Sequence, residues 1–392
     1  MKKIPFTSPS IGKEEIAIVV RAIREKRIGG NGYYTKLAEN ALAKKMNSKY
    51  AFVTTSATHA LEMAVMCLGI GPGDEVICPS FTFVSTVNAI VRQGAVPRFC
   101  DIEPRTLNID IGKVTRLITK KTKAVIPVHY AGISCDMDRL MTAASDHGIF
   151  VIEDAAQAVG ARYKGRFLGT IGDIGALSFH ITKNITCGEG GAFLTNSDAL
   201  ANKADIIREK GTNRNAFLKG EVDKYTWLEI GSSFIPSDLL SAILVEQLKK
   251  MDAINKKRIG LFDYYYHRLL PLQMERLIDL PQVPEFSAPN GHTFWFLVKA
   301  ERARDELLKM LNQIGITATF HYVPLHTAPY GKNKLGYREG DLPVTESAAR
   351  RLVRLPLFSE LTERDAERIS ASVVRLLKGK AAAVKTKVST RV

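Results

Sequence analysis

Cysteine is scarce and unpaired in this chain: Cys67, Cys78, Cys100, Cys135 and Cys187, five among 392 residues, with no Cys-x-x-Cys spacing. An odd, scattered set argues against a disulfide framework and a thiolate metal site, so the five read as reduced thiols. Cys187, four residues after Lys183, reads as a filler of apolar space. Apolar residues nowhere run on for the length of a membrane span, so no membrane is expected. The start, Met1-Lys2-Lys3-Ile4-Pro5-Phe6, has basic residues but no apolar signal core after them. A cytoplasmic location is the expectation. Helix-turn-helix, zinc-finger and RNA-recognition signatures are missing too. The net charge is +15, but its basic residues are dispersed apart from the tail Lys378 to Arg391. That charge therefore reads as a bias toward anionic small molecules rather than toward nucleic acid.

What is present is an alternation. Hydrophobic residues at 45% and charged residues at 24% describe an ordinary globular chain, long enough for two or three domains. Pro9 to Arg27 reads as a helix capped near Ser10, with Ile16, Val19, Val20 and Ile23 on one face. Gly29, Gly30 and Gly32 break it. Strands are expected at Tyr50–Thr54, Glu75–Cys78, Val96–Asp101, Ala124–Val128 and Phe150–Glu153. Helices are expected at Ala57–Leu68, Val84–Arg92 and Met137–His147. This rhythm predicts an α/β fold with a mostly parallel sheet covered on both faces, whose ligand lies at the carboxyl ends of the strands. A long helix, about 237–269, leads to a smaller α+β domain. That domain has strands at Thr293–Val298 and Thr317–Val323 and helices at Ala303–Ile314 and Thr362–Leu377. The expected division is 1–250 for an N-terminal arm and large domain, 251–378 for the small domain, and 379–392 for a basic, disordered tail.

Asp154 closes the apolar strand Val151-Ile152-Glu153, and Lys183 follows a second apolar strand, Ala176-Leu177-Ser178-Phe179. An acid and a lysine so placed suit pyridoxal phosphate: the lysine holds the cofactor as a Schiff base and the acid keeps its ring nitrogen protonated. Partial burial lowers a lysine's pKa, which suits proton transfer at a substrate carbon. Thr55-Ser56-Ala57-Thr58-His59 follows a strand and opens a helix, a place for a phosphate or simply an N-cap. An aromatic ring in Phe81-Thr82-Phe83 has two readings, stacking on a cofactor or packing in the core. Gln157 is placed to reach the cofactor's phenolic oxygen, and Ser178 its phosphate. Gly188-Glu189-Gly190-Gly191 reads as a tight turn, since a strand at Ala192–Thr195 follows it.

Six ordered motifs resemble those of the DegT-type nucleotide-sugar aminotransferases, within the fold-type I pyridoxal phosphate enzymes. They are Ser56-Ala57-Thr58, Pro79-Ser80-Phe81-Thr82-Phe83, Pro127-Val128-His129-Tyr130-Ala131-Gly132, Glu153-Asp154-Ala155-Ala156-Gln157, Ser178-Phe179-His180-Ile181-Thr182-Lys183-Asn184 and Glu189-Gly190-Gly191. The resemblance implies a three-layer transferase fold with Lys183 as the Schiff-base lysine, Asp154 as the pyridinium partner and Gln157 beside it. It implies phosphate contacts from Thr58, His59 and Ser178, and stacking by Phe83 rather than Phe81. It implies a homodimer with shared sites, in which Ser233 stands where relatives place an asparagine that reaches the partner's phosphate. The implied reaction moves an amino group from L-glutamate to a dTDP-linked 4-keto-6-deoxy sugar. The family also holds sugar dehydratases in which histidine replaces the lysine, and retention of Lys183 favours amino transfer. Lys210 and Arg214 are candidates for the sugar's diphosphate, and His321 and His326 for the sugar or nucleotide.

Overall fold

The computed structural model describes residues 3–389, with side chains through residue 379. The chain opens with helices α1 (Lys13–Arg24) and α2 (Tyr33–Met46). Strand β1 (Tyr50–Thr54) then begins an alternation with α3 (Ala57–Cys67), β2 (Glu75–Pro79), α4 (Val84–Val91) and β3 (Val96–Cys100). The alternation continues through α5 (Ile111–Leu117), β4 (Thr122–Val125), α6 (Met137–His147) and β5 (Phe150–Asp154). A small hairpin, β6 (Arg162–Tyr163) and β7 (Arg166–Phe167), precedes β8 (Ile174–Ser178) and β9 (Gly191–Thr195). The large sheet has the order β1-β9-β8-β5-β4-β2-β3, with β9 alone running against the rest. Both faces are apolar and covered, which is why β8 and β9 read as unbroken buried runs rather than alternating ones.

Helices α7 (Asp198–Arg208) and α8 (Arg214–Leu218) lead into α9 (Asp238–Met274), a rod of 37 residues. One core takes Leu244, Leu248, Met251 and Ile254 from α9, and a second takes Leu261, Phe262, Tyr265 and Leu269. The change of core thus falls between Ile254 and Leu261, a little beyond the expected boundary at 250. The second core also includes Ile4, whose backbone pairs with Ile316, so the N-terminal arm lies on the C-terminal part of the molecule. That part holds β10 (Ile278–Asp279), β11 (Ser287–Ala288), β12 (Phe294–Val298) and α10 (Glu301–Gln313). It ends with α11 (Pro329–Asn333), α12 (Pro343–Arg351), β13 (Leu352–Leu355) and α13 (Glu363–Ser389).

Three expectations change here. The stripe on α1 faces outward, with Ile16 62%, Val20 40% and Ile23 54% exposed, while Glu15, Ile18 and Ala22 are buried. The helix docks on α9 instead through Glu15, whose carboxylate takes Lys250 Nζ at 2.7 Å and Gln247 Nε2 at 2.8 Å. The expected strand at Thr317–Val323 is only an isolated bridge from Thr319 to Arg354, because β13 takes the place beside β12. The expected disordered tail is helical to Ser389, as its alanine- and lysine-rich sequence favours; residues 390–392 lie outside the described residues.

Candidate active site

The carboxyl ends of β5 and β8 are paired, with Asp154 opposite Ala176. Asp154 therefore ends one strand beside Ser178, which ends the next, and the loop after Ser178 brings Lys183 back toward both. All three line a cavity of about 660 Å³. Thr86 Oγ1 donates to Asp154 Oδ2 at 2.8 Å and the Ala156 amide to Oδ1 at 3.2 Å. Burial raises the proton affinity of Asp154, against the pull of Thr86, Ala156 and Lys183. Burial likewise lowers the Lys183 ammonium to about 8, against the opposing charge of Asp154. The two feel each other's charge, yet no ion pair joins them among the described residues. A carboxylate and an amine that loses its proton near neutrality thus share one chamber.

A second wall is the start of α3. Ser56 caps it, its hydroxyl accepting from the His59 amide at 3.1 Å. The amides of Ala57 and Thr58 have no acceptor among the described residues, as first-turn amides commonly do not. Thr58 lines the cavity with its hydroxyl 2.7 Å from that of Ser85. Strand β9 passes so close that a Cβ on Gly191 would stand 2.3 Å from the Ala57 nitrogen. Only glycine lets the strand and this amide-rich corner approach so closely.

Phe83 is 59% exposed and lines the cavity, whereas Phe81 is buried under Tyr130 and Tyr322 at ring separations of 5.2 and 5.4 Å. Gln157 also lines it, with its amide engaged: Oε1 accepts from the Ala131 amide at 2.7 Å and Nε2 donates to Tyr322 Oη at 2.8 Å. The donor set fits pyridoxal phosphate. An amine of lowered pKa, a carboxylate held by two donors, a helix start with free amides and hydroxyls, and an exposed ring all face one space.

The other expected residues are placed as follows. His59 turns from the cavity, its ring bonded to the Thr55 hydroxyl and packed 5.0 Å from Phe234, so only its backbone belongs to the helix start. Ser233 is exposed and does not line this cavity. Lys210 and Arg214 lie outside it as well, paired with Glu209 at 3.7 and 3.1 Å. His321 does line the cavity, stacked 3.9 Å from the Tyr322 ring, with Nδ1 3.2 Å from Tyr130 Oη. Burial drives its pKa down to about 2, so it serves as a neutral ring. His326 is fully buried elsewhere. Its Nδ1 lies 2.7 Å from Ser80 Oγ and its Nε2 2.9 Å from Glu346 Oε1, tying the end of β2 to α12. A contact from His326 to substrate is therefore not made; both ring nitrogens are taken.

The wall residues not singled out from the sequence include Arg258, His292, Tyr322 and Arg354. Arg258 donates to the Gly291 and His292 carbonyls at 3.1 and 2.6 Å, and burial lowers its pKa to about 9. Tyr322 adjoins His321 in sequence, which is a signal of a kind. Arg354 had one as well, being the lone charge in the apolar run Leu352-Val353-Arg354-Leu355.

Residues 9–374 match the model of the DegT/DnrJ/EryC1/StrS aminotransferase family. The spore coat polysaccharide biosynthesis protein SpsC of Bacillus subtilis is 35% identical over 391 residues, covering 96% of this chain and 97% of that protein. Among solved structures, DesV of S. venezuelae superposes with a TM-score of 0.89 at 32% identity, covering 96% of this chain and 99% of that one. The sugar aminotransferase Spr1654 of Streptococcus pneumoniae, described as putative and solved in its PMP form, gives 0.90 at 26% identity, covering 98% and 100%. The chain belongs to the DegT/DnrJ/EryC1/StrS aminotransferase family and is a pyridoxal-phosphate-dependent transferase acting on sugars.

Proposed function

We propose that this aminotransferase moves the amino group of L-glutamate to C4 of dTDP-4-keto-6-deoxy-D-glucose. The products are dTDP-4-amino-4,6-dideoxy-D-galactose and 2-oxoglutarate, the reaction of the dTDP-4-amino-4,6-dideoxygalactose transaminase it resembles. The observation that carries this reading is the single cavity holding Lys183, Asp154 and a surplus of positive charge from Arg258 and Arg354. Such a surplus suits substrates that are anions, as a dicarboxylic amino acid and a sugar nucleotide both are. The sequence likeness over Arg208–Arg214, Val222–Trp227 and Phe320–His326 supports the choice of sugar.

Pyridoxal phosphate, when bound, supplies an electron sink that acidifies the C–H bond of the amine-bearing carbon. The rest is done by the chain. Lys183 would hold the cofactor through its Nζ and would be freed when the amino donor binds. With a pKa near 8, its freed Nζ takes the proton from the glutamate α-carbon, and in the second half it delivers one to sugar C4. Asp154 holds the ring nitrogen protonated, fixed for this by Thr86 and Ala156. The start of α3, Thr58 and Ser178 take the phosphate, Phe83 covers the ring, and Gln157 with Tyr322 borders its phenolic side.

The working unit in this proposal is a cytoplasmic homodimer. Its support is the apolar surface of the single chain: the outward stripe of α1 and the segment after α8, where Trp227 is 75% and Ile230 69% exposed. In such a dimer Ser233, Lys210 and Arg214 serve the partner's site, which accounts for their absence from this one.

The test is an assay on purified protein with cofactor, L-glutamate and dTDP-4-keto-6-deoxy-D-glucose, with products read by mass and NMR. The expected product is one 4-amino sugar nucleotide per 2-oxoglutarate formed. Loss of water without gain of nitrogen would point to a dehydratase instead. Lys183→Ala should remove the visible absorption of the bound cofactor and lower amino transfer by at least about 10²–10⁴-fold.

A further inference from the structure

Arg354 is an arginine with unfilled donors inside the reactive chamber. Its backbone is fixed in β13, between Trp295 on one side and Thr319 on the other, the latter through bonds of 2.7 and 3.1 Å. Its side chain reaches the cavity wall that also holds Lys183 and His321. The guanidinium makes one hydrogen bond among the described residues, from Nη2 to the Phe320 carbonyl at 3.0 Å, and lies 4.6 Å from the centre of the Phe6 ring. Its Nε is buried with no partner, and no carboxylate pairs with it among the described residues. Arg258, the other arginine of the wall, differs in this respect, because two backbone carbonyls occupy it. Arg354 as a whole is half-buried, but a buried donor left idle, here its Nε, costs stability unless something fills it. An anion delivered by the substrate does so.

Two substrate groups compete for the assignment, the carboxylates of the amino donor and the diphosphate of the sugar nucleotide. Arg354 lines the same cavity as Lys183, the residue that meets the reacting carbon, and its charge is felt there. In an amino acid a carboxylate is bonded directly to that carbon. In the sugar nucleotide the diphosphate lies across the sugar ring from it. A planar guanidinium also matches a carboxylate in a two-point fork.

Resting on the amino-transfer reading, we infer that Arg354 is the receptor for the carboxylate bonded to the reacting carbon of the amino donor in the first half-reaction. It is a binding residue of the donor half-reaction alone, filled by the donor and left empty when the sugar binds.

The test compares the wild-type holoenzyme with Arg354→Gln and Arg354→Lys. The donor half-reaction is followed as loss of visible cofactor absorbance with L-glutamate alone. Binding of glutarate, which cannot react, is measured by calorimetry. The expected result for Arg354→Gln is a weakening of both glutamate and glutarate by about 10- to 100-fold. Cofactor loading and the KM for the sugar nucleotide should be unchanged, and lysine should restore part of the loss. Unchanged glutamate and glutarate affinities overturn the inference. So does a rise in the sugar-nucleotide KM alone, which gives the arginine to the diphosphate. A wild type that binds glutarate through Arg354 but aminates no keto sugar removes the sugar reading and leaves the arginine's role standing. Normal amino transfer from glutamate by Arg354→Gln does the reverse.

Discussion

Lys183 must be neutral to attack a carbonyl, and its surroundings decide when it is. With a pKa near 8, the rate at which cofactor-free protein takes up pyridoxal phosphate should rise about tenfold per pH unit in the acid range and level off above pH 8. Asp154 acts on it by stabilising the ammonium form. Asp154→Asn removes that charge, so the midpoint should move to lower pH; stopped-flow absorbance checks both curves, and a midpoint near 10 refutes the burial argument. The sequence made Lys183 and Asp154 legible, because each ends or follows an apolar strand and strand ends are where such sheets bind ligands. It left Arg354 only half legible: a lone charge in an apolar run stands out, but a charge in an edge strand is more often solvated than aimed inward. His326 misled because a histidine near other candidate residues looks available until both its nitrogens are seen to be taken.

Elements set what these residues can reach. The start of α3 is usable only because β9 begins with a glycine. Gly191→Ala would drive a methyl group against the backbone of Ser56 and Ala57, at a cost of about 1–3 kcal/mol and with weaker cofactor binding. Thermal unfolding and a cofactor titration read the two losses, and wild-type values in both would dismiss the crowding. Helix α1 shows the limit of periodicity. Its apolar stripe was legible, but periodicity does not say whether such a stripe meets the chain's own core or another molecule. Here Glu15 and Ile18 face α9, and the stripe is left exposed, free to meet a second copy in the dimer we propose. Replacing Val20 and Ile23 with Asp should shift sedimentation toward the monomer while changing monomer stability by no more than about 0.5 kcal/mol, since both side chains are exposed. Sedimentation identical to wild type would assign the dimer to another face. The strand expected at Thr317–Val323 was lost to competition: β13 pairs with β12 over four residues, and Thr319 keeps a single bridge.

The whole molecule is organised by α9, which enters one core and leaves through the other, a rod of about 55 Å at 1.5 Å per residue. The cavity needs both ends of that rod, since Lys183 and Asp154 come from one side and His321, Tyr322 and Arg354 from the other. The five cysteines then acquire a use. All five are buried, and they sit in the two clusters that cover the large sheet, none in the core built around Leu261 and Leu269. Burial pushes Cys67 and Cys187 up to about 12, and the other three higher still. A thiol reagent is therefore blind to the folded chain and reports the moment the large sheet opens. Trp295, buried in β12, reports the C-terminal half by its fluorescence once the exposed Trp227, the chain's other tryptophan, is replaced by phenylalanine. If α9 makes the molecule one cooperative unit, the two signals should move together in denaturant; thiols released well before the Trp295 change would mean that the halves melt as separate bodies. The chain carries its own pair of unfolding clocks, one on each side of the rod, with no label added.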